Sequence, residues 1–237
     1  MSITQRCFLV TGASSGIGRA IAERLLNIGH QVLGSSRDCS KFLVPHPNFF
    51  PIPLDLNASD QIRPVMLSIL KNHPQLDGVV FAAGIGQFGS LEEFSDAQIE
   101  RLMNVNFTAN VLLTKALLPA FKKKTTSDLI YIGSEAALKG SRKGTIYCAS
   151  KFALRGFTQA LREECASHKI RITLLNPGMV KTPFFDLLNF EPGPEPVHAI
   201  NAQDLADTVQ YLLESNPNIV IDEITLNPMQ KVIHFKK

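Results

Sequence analysis

Short apolar runs alternate with longer amphipathic stretches along the chain. Runs such as C-F-L-V at 7–10, Q-V-L-G-S-S at 31–36 and L-I-Y-I at 129–132 have the length of buried strands. The stretches between them repeat apolar residues at helical spacing, as Ala20, Ile21, Leu25, Leu26 and Ile28 do. We read strands near 6–11, 31–36, 49–53, 77–83, 128–134, 170–176 and 219–226, and helices near 16–28, 59–72, 96–122, 146–168 and 202–214. This alternation predicts an α/β architecture: a doubly wound parallel sheet of seven strands with helices on both faces. Right-handed crossovers put a ligand crevice outside the carboxyl ends of the strands. The one irregular region is about 182–201, where Pro183, Pro192, Pro194 and Pro196 discourage continuous structure, and it reads as a mobile substrate loop.

At 237 residues and 45% hydrophobic content, residues 1–237 fit one domain. A net charge of +3 and no basic stripe with interleaved aromatics argue against a nucleic-acid partner. The densest basic cluster, Lys122 to Lys124, looks like the solvated end of a helix. Cys7, Cys39, Cys148 and Cys165 show neither paired nor metal-ligand spacing, so no metal is expected and a reducing compartment is. The first strand leaves no room for a leader, and no apolar run approaches the ~18 residues of a membrane span. A cytoplasmic protein without a membrane partner is therefore expected.

Chemistry concentrates at predicted strand ends. In T-G-A-S-S-G-I-G, residues 11–18, Gly12, Gly16 and Gly18 allow a tight turn and close backbone approach. Ser14, Ser15 and Ile17 complete a loop whose helix N-terminus offers N–H groups to phosphate. Alone, this is also a strand-to-helix turn with no ligand. Tyr147 and Lys151 in Y-C-A-S-K share one helix face, where an ammonium near a phenol favours phenolate and sets up an acid/base pair. Alone, they are a surface pair. Ser134 closes the strand L-I-Y-I-G-S, where it is either a turn former or a donor to a substrate carbonyl. Cys148 lies about one hundred degrees from Tyr147 and reads as packing.

Taken in order, Gly12/Gly16/Gly18, Asp55 in L-D-L, A-A-G at 82–84, Asn106 in N-V-N, Ser134, Tyr147, Lys151 and P-G-M-V-K-T at 177–182 resemble the short-chain dehydrogenase/reductase family over nearly the whole chain. The resemblance implies a Rossmann fold and hydride transfer between a nicotinamide cofactor and a carbonyl or alcohol. It gives Tyr147 the proton transfer, Ser134 the substrate oxygen, Lys151 the tyrosine pKa and the nicotinamide ribose, and Asn106 a water linking Lys151 to solvent. Asp55 and Leu56 would bracket adenine, Ala82, Ala83 and Gly84 would line the cofactor, and Pro177, Gly178, Val180 and Thr182 would carry the nicotinamide amide. F-A-A-G departs from the family's N-N-A-G. Asp55 is also a candidate helix cap.

Counted as in the family, the acidic ribose position holds Ser36, and Arg37 follows, which favours NADP over NAD. Asp38, twenty residues beyond Gly18, is the rival ribose ligand. Phe184, Phe185, Leu187, Leu188 and Phe190 are either an apolar lid or a packing helix. Lys139, Arg142 and Lys143 either greet an acidic substrate or are solvated loop charge. Related proteins pair the helices carrying Asn106 and Tyr147, so a homodimer or homotetramer is expected. The competing function is a non-catalytic NADP-binding redox-sensing regulator, which is expected to lose Tyr147 or Lys151. An epimerase or dehydratase would need more sequence beyond Asn201.

Overall fold

Strand β1 (Cys7–Thr11) is buried at every position because its two faces serve different layers. Cys7 and Leu9 join one apolar cluster and Phe8 and Val10 the other, as the two-residue period of a strand requires. The computed structural model describes residues 5–42 and 46–236. Its central sheet adds β2 (Gln31–Ser36), β3 (Phe49–Pro53), β4 (Leu76–Phe81), β5 (Ser127–Ile132), β6 (Ile170–Pro177) and, near the C-terminus, β10 (Glu223–Leu226). The spatial order is β3-β2-β1-β4-β5-β6-β10, and all pairings are parallel. This is the expected seven-stranded doubly wound sheet of a single domain, with its order reversing between β1 and β4. A crevice opens at that reversal.

Helices α1 (Gly16–Asn27) and α6 (Ala202–Glu214) cover one face, burying Ile21, Leu25, Leu205 and Val209 against Phe8, Val80 and Ile130. On the other face, α2 (Ser59–Asn72), α4 (Ala109–Phe121) and α5 (Thr145–Glu164) bury Met66, Leu113, Leu117 and Leu154 against Leu9, Val79 and Tyr131. Each such side chain contributes roughly 1.5–3 kcal/mol. Prolines set the outer edge of the sheet. Leu54 N–H donates to Ser36 O, so along β3 the prolines at 51 and 53 face away from β2, where no N–H is left unpaired.

Three expectations need correction. The helix expected over 96–122 is α3 (Asp96–Met103), a π-helical turn at Asn104–Thr108, then α4. Side chains explain the widened turn. Asn106 is drawn to the backbone of Ile85, while Asn110 donates to Asn106 O and Thr114 to Asn110 O. The segment 182–201 is not structureless. Short strands β7 (Val180–Lys181) and β9 (Ile200–Asn201) pair at its base, and β8 (Phe190–Pro192) pairs antiparallel with β11 (Ile233–Phe235) from the end of the chain. The last sheet strand starts at Glu223 rather than 219.

Candidate functional site

The turn after β1 is shaped by glycines that nothing larger could replace. Gly12 and Gly16 have φ of 71° and 54°, and a Cβ on Gly18 would lie 2.4 Å from Gly12 O. The close approach brings the start of α1 beneath the turn. Ser15 is extended and does not cap the helix with its side chain, so the first-turn N–H groups face the crevice without that partner. Thr11 Oγ1 accepts from Ala83 N–H at 3.1 Å, which ties the ends of β1 and β4 together. A dinucleotide pyrophosphate fits this cradle: close backbone, unclaimed N–H donors and a positive helix end.

A cleft of about 620 Å³ runs from there across the carboxyl ends of the strands. It is lined by Gly12, Ser14, Ser15, Gly16, Ile17, Gly18, Arg37, Asp55, Leu56, Ala82, Ala83 and Gly84, and further along by Ser134, Tyr147, Lys151, Pro177, Gly178, Val180 and Thr182. Asn106 is not on its wall. Arg37 lines the cleft while Asp38 does not; the Asp38 carboxylate accepts from Ser40 N–H and Oγ–H at 3.1 and 2.6 Å. Those two bonds hold Asp38 in its ionised form. Asp55 makes a turn with Asn57 N–H at 2.9 Å and is not the cap of α2, a place taken by Ala58.

At the far end, Ser134 and Tyr147 approach each other. Ser134 N–H donates to Asn176 Oδ1, and Ser134 Oγ accepts from Ala136 N–H at 3.1 Å, which leaves its own proton free to point elsewhere. Asn176 is held in turn by Glu223, which pairs with Arg155. Lys151 sits on the same face of α5 as Tyr147. Its Nζ donates to Ile132 O at 3.1 Å and lies 5.8 Å from the centre of the tyrosine ring. Asn106 is fully buried behind, its amide bonded to both backbone groups of Ile85 and to Ser150 Oγ. A Cβ on Gly84 would meet Asn106 Oδ1 and Lys151 Nζ, so the two converge there.

The electrostatics differ from the spacing argument. Burial pushes the Tyr147 phenol up to about 12, with the Ser134 hydroxyl working against that shift. Burial also pulls the Lys151 ammonium down to about 8. The lysine stands over the ring and bonds a carbonyl rather than the phenol oxygen. The phenol is therefore held protonated at neutral pH, and the ammonium persists up to about pH 8.

A second cavity of about 770 Å³ adjoins the first, and the residues common to both are Ser134, Tyr147, Gly178, Phe184 and Phe185. Of the lid candidates, Phe184, Phe185 and Phe190 turn into it; Leu187 touches only the first cleft, and Leu188 lines neither. Phe88, which the hydropathy pattern does not single out, lies tilted against Tyr147 at 4.9 Å and edge-on to Phe190. A Cβ on Gly86 would strike the Phe184 ring at 2.4 Å, so the glycine makes room for that ring. Ile233 and Phe235 of β11 form another wall. Cys148 is buried beside Ser141 and lines neither space. Among the described residues no cluster of three metal-ligating side chains occurs, and no helix is long and apolar enough to cross a membrane.

The sequence profile of the short chain dehydrogenase family matches residues 6–191. This chain belongs to that family. It is accordingly an oxidoreductase acting by dehydrogenase/reductase chemistry. An uncharacterized oxidoreductase of Staphylococcus epidermidis is 26% identical over 96% of this chain and 99% of its own length. A metagenomic short-chain oxidoreductase solved in complex with NADP is 30% identical, with a TM-score of 0.83 over 98% of this chain and 100% of that one. The alcohol dehydrogenase of the archaeon Thermococcus sibiricus, complexed with 5-hydroxy-NADP, shares the fold at a TM-score of 0.86, with 24% identity and coverage of 97% and 99%.

Proposed function

We propose that the protein is an NADP-dependent carbonyl reductase or alcohol dehydrogenase, with the nucleotide in the long cleft and the carbonyl compound in the adjoining cavity. The observation that carries this reading is that the two spaces meet at Ser134 and Tyr147, with Lys151 one helical turn behind. When bound, the reduced nicotinamide supplies a hydride to the carbonyl carbon, so that one C=O, one NADPH and one proton become one CH–OH and one NADP⁺. Ser134, its oxygen already accepting from Ala136, keeps its proton and donates a hydrogen bond to the carbonyl oxygen as charge grows there. Tyr147, kept neutral by burial, gives its proton to that oxygen, since an alkoxide is a stronger base than a phenolate. Lys151 stabilises the phenolate left behind and, on the face that Ile132 leaves open, holds the nicotinamide ribose and takes up protons through the water-borne relay assigned to Asn106. Asn106 also positions, through Ile85 and Ser150, the backbone on which Lys151 stands.

The NADP preference is supported by Arg37 on the cleft wall, by the commitment of Asp38 to Ser40, and by the NADP described in the 30%-identical structure. The apolar, 43% exposed Phe152 on α5 supports pairing of that face with a second copy. The pinned loop 182–201 serves as the lid. The test is NADPH oxidation over a panel of carbonyl compounds, comparing the protein with Tyr147→Phe. A loss of about 10²–10⁴-fold in kcat is expected. Equal turnover by the two proteins sinks the mechanism, and a lower KM for NADH than for NADPH sinks the cofactor assignment.

A further inference from the structure

The cavity beside Ser134 and Tyr147 has two chemically different walls. One is aromatic. Phe88, Phe184, Phe185, Phe190 and Phe235 form a chain of ring contacts, with Phe184–Phe185 and Phe88–Phe190 meeting edge to face at 5.2 and 5.0 Å. Such a box takes a flat ring with little loss, because ring edges and faces are both on offer. The other wall is the segment between Ser134 and α5, and it brings Lys139, Arg142 and Lys143 to the same cavity.

These three cations are exposed, and what marks them is that they share one cavity with few carboxylates. The acidic residues on the cavity are Glu93 and Glu135. Glu135 is paired with Lys231 at 2.7 Å, and Glu93 accepts from Ser90 N–H at 3.0 Å. Among the described residues, Lys139, Arg142 and Lys143 have no ion-pair partner. The cavity thus carries an excess of positive charge that the protein does not neutralise. Its wall is also held in place. Lys143 has φ of 61°, the one non-glycine with positive φ among the described residues, and its carbonyl accepts from Gly89 N–H at 2.8 Å. That bond fastens the cationic segment to the loop carrying Phe88, so the two walls keep their spacing.

From this juxtaposition we infer that the substrate is an aryl carbonyl compound bearing a carboxylate: the ring lies among the phenylalanines, the carbonyl reaches Ser134 and Tyr147, and the carboxylate meets Lys139, Arg142 and Lys143. This rests on the reading of the cavity as the substrate site. It adds a specificity wall that takes no part in hydride or proton transfer.

The experiment compares 4-acetylbenzoate with 4-acetylbenzamide, which match in shape and differ in charge. With NADPH at low ionic strength, kcat/KM for the acid is expected to exceed that for the amide by about tenfold, three exposed cations each adding a small factor. The gap should close near 1 M salt, where the screening length falls to about 3 Å. The triple variant Lys139→Gln, Arg142→Gln, Lys143→Gln should bring the ratio close to one, whereas Lys122→Gln with Lys123→Gln, at the distant end of α4, should leave it. An acid used no better than the amide, or a preference that survives the triple variant, overturns the inference while leaving the reductase reading intact. If neither compound is reduced, the reductase reading fails for this class. Calorimetric titration of both compounds with NADP present then decides the inference: tenfold tighter binding of the acid upholds it, and equal binding overturns it.

Discussion

Lys151 is the point at which stability and proposed catalysis conflict, and Lys151→Met measures the conflict. An ordinary lysine titrates near 10.5 and Lys151 near 8, because α5 buries its ammonium under the sheet end. At about 1.4 kcal/mol per tenfold, holding it charged costs the fold about 3 kcal/mol. Methionine keeps the unbranched, flexible stem and removes the charge, but it also removes the bond to Ile132 O, a loss of about 1–2 kcal/mol. The variant should therefore be about 1–2 kcal/mol more stable at pH 7, or roughly 2–8 °C higher in Tm for a chain of this size, while reduction falls at least a hundredfold. The sign of the pH dependence follows from linkage. Between pH 8 and 10.5 the unfolded lysine keeps a proton that the folded one has released, so the natural protein gains stability across that window and the variant does not. Thermal unfolding of both proteins at pH 7 and pH 10 reads this directly: the advantage of the variant should shrink or vanish at the higher pH. A variant less stable at pH 7, or an advantage equal at both, would show that burial does not govern this amine.

Gly18→Ala should abolish dinucleotide binding by calorimetry and lower stability, since its Cβ would sit 2.4 Å from Gly12 O and neither backbone segment can yield. Arg37→Ser should lower the ratio of kcat/KM for NADPH to that for NADH by about 10–100-fold, the worth of a charge-assisted contact to the 2′-phosphate; an unchanged ratio removes Arg37 from cofactor choice. Asp128→Ala leaves Arg6 and Arg171, each 2.7 Å from its carboxylate, without their shared partner at the amino ends of the strands. Denaturant unfolding should show a loss of about 3 kcal/mol with kcat unchanged in the folded fraction.

The parts of this molecule that could be read from sequence are those whose signal is local. The inner strands, such as β1, are apolar runs because both faces are covered, and the glycine turn is legible because Gly12 and Gly16 take positive φ and Gly18 answers the backbone of Gly12, six residues away. What stayed hidden depends on partners distant in sequence. I-H-F at 233–235 carries too short a pattern to call a strand until Phe190–Pro192 lies beside it, and Phe88 is one phenylalanine among fifteen until Tyr147 and Phe190 surround it. The π turn preserves nearly the same apolar periodicity as a plain helix; its only local trace is the series Asn106, Asn110 and Thr114, whose side chains bond to backbone.

The acid/base pair marks the limit most sharply. Four-residue spacing puts Lys151 and Tyr147 on one face, as read, but a proton's affinity depends on burial depth and on what each group already bonds. Those are set by Ile132 from β5 and by the rings of Phe88 and Phe184 from two separate segments. With both groups buried, the phenol is the stronger proton holder and the amine the weaker. At neutral pH that order supplies the proton that carbonyl reduction consumes, whereas alcohol oxidation needs the phenolate that burial opposes. The same burial that obscures the pair in sequence therefore favours one direction of the proposed reaction.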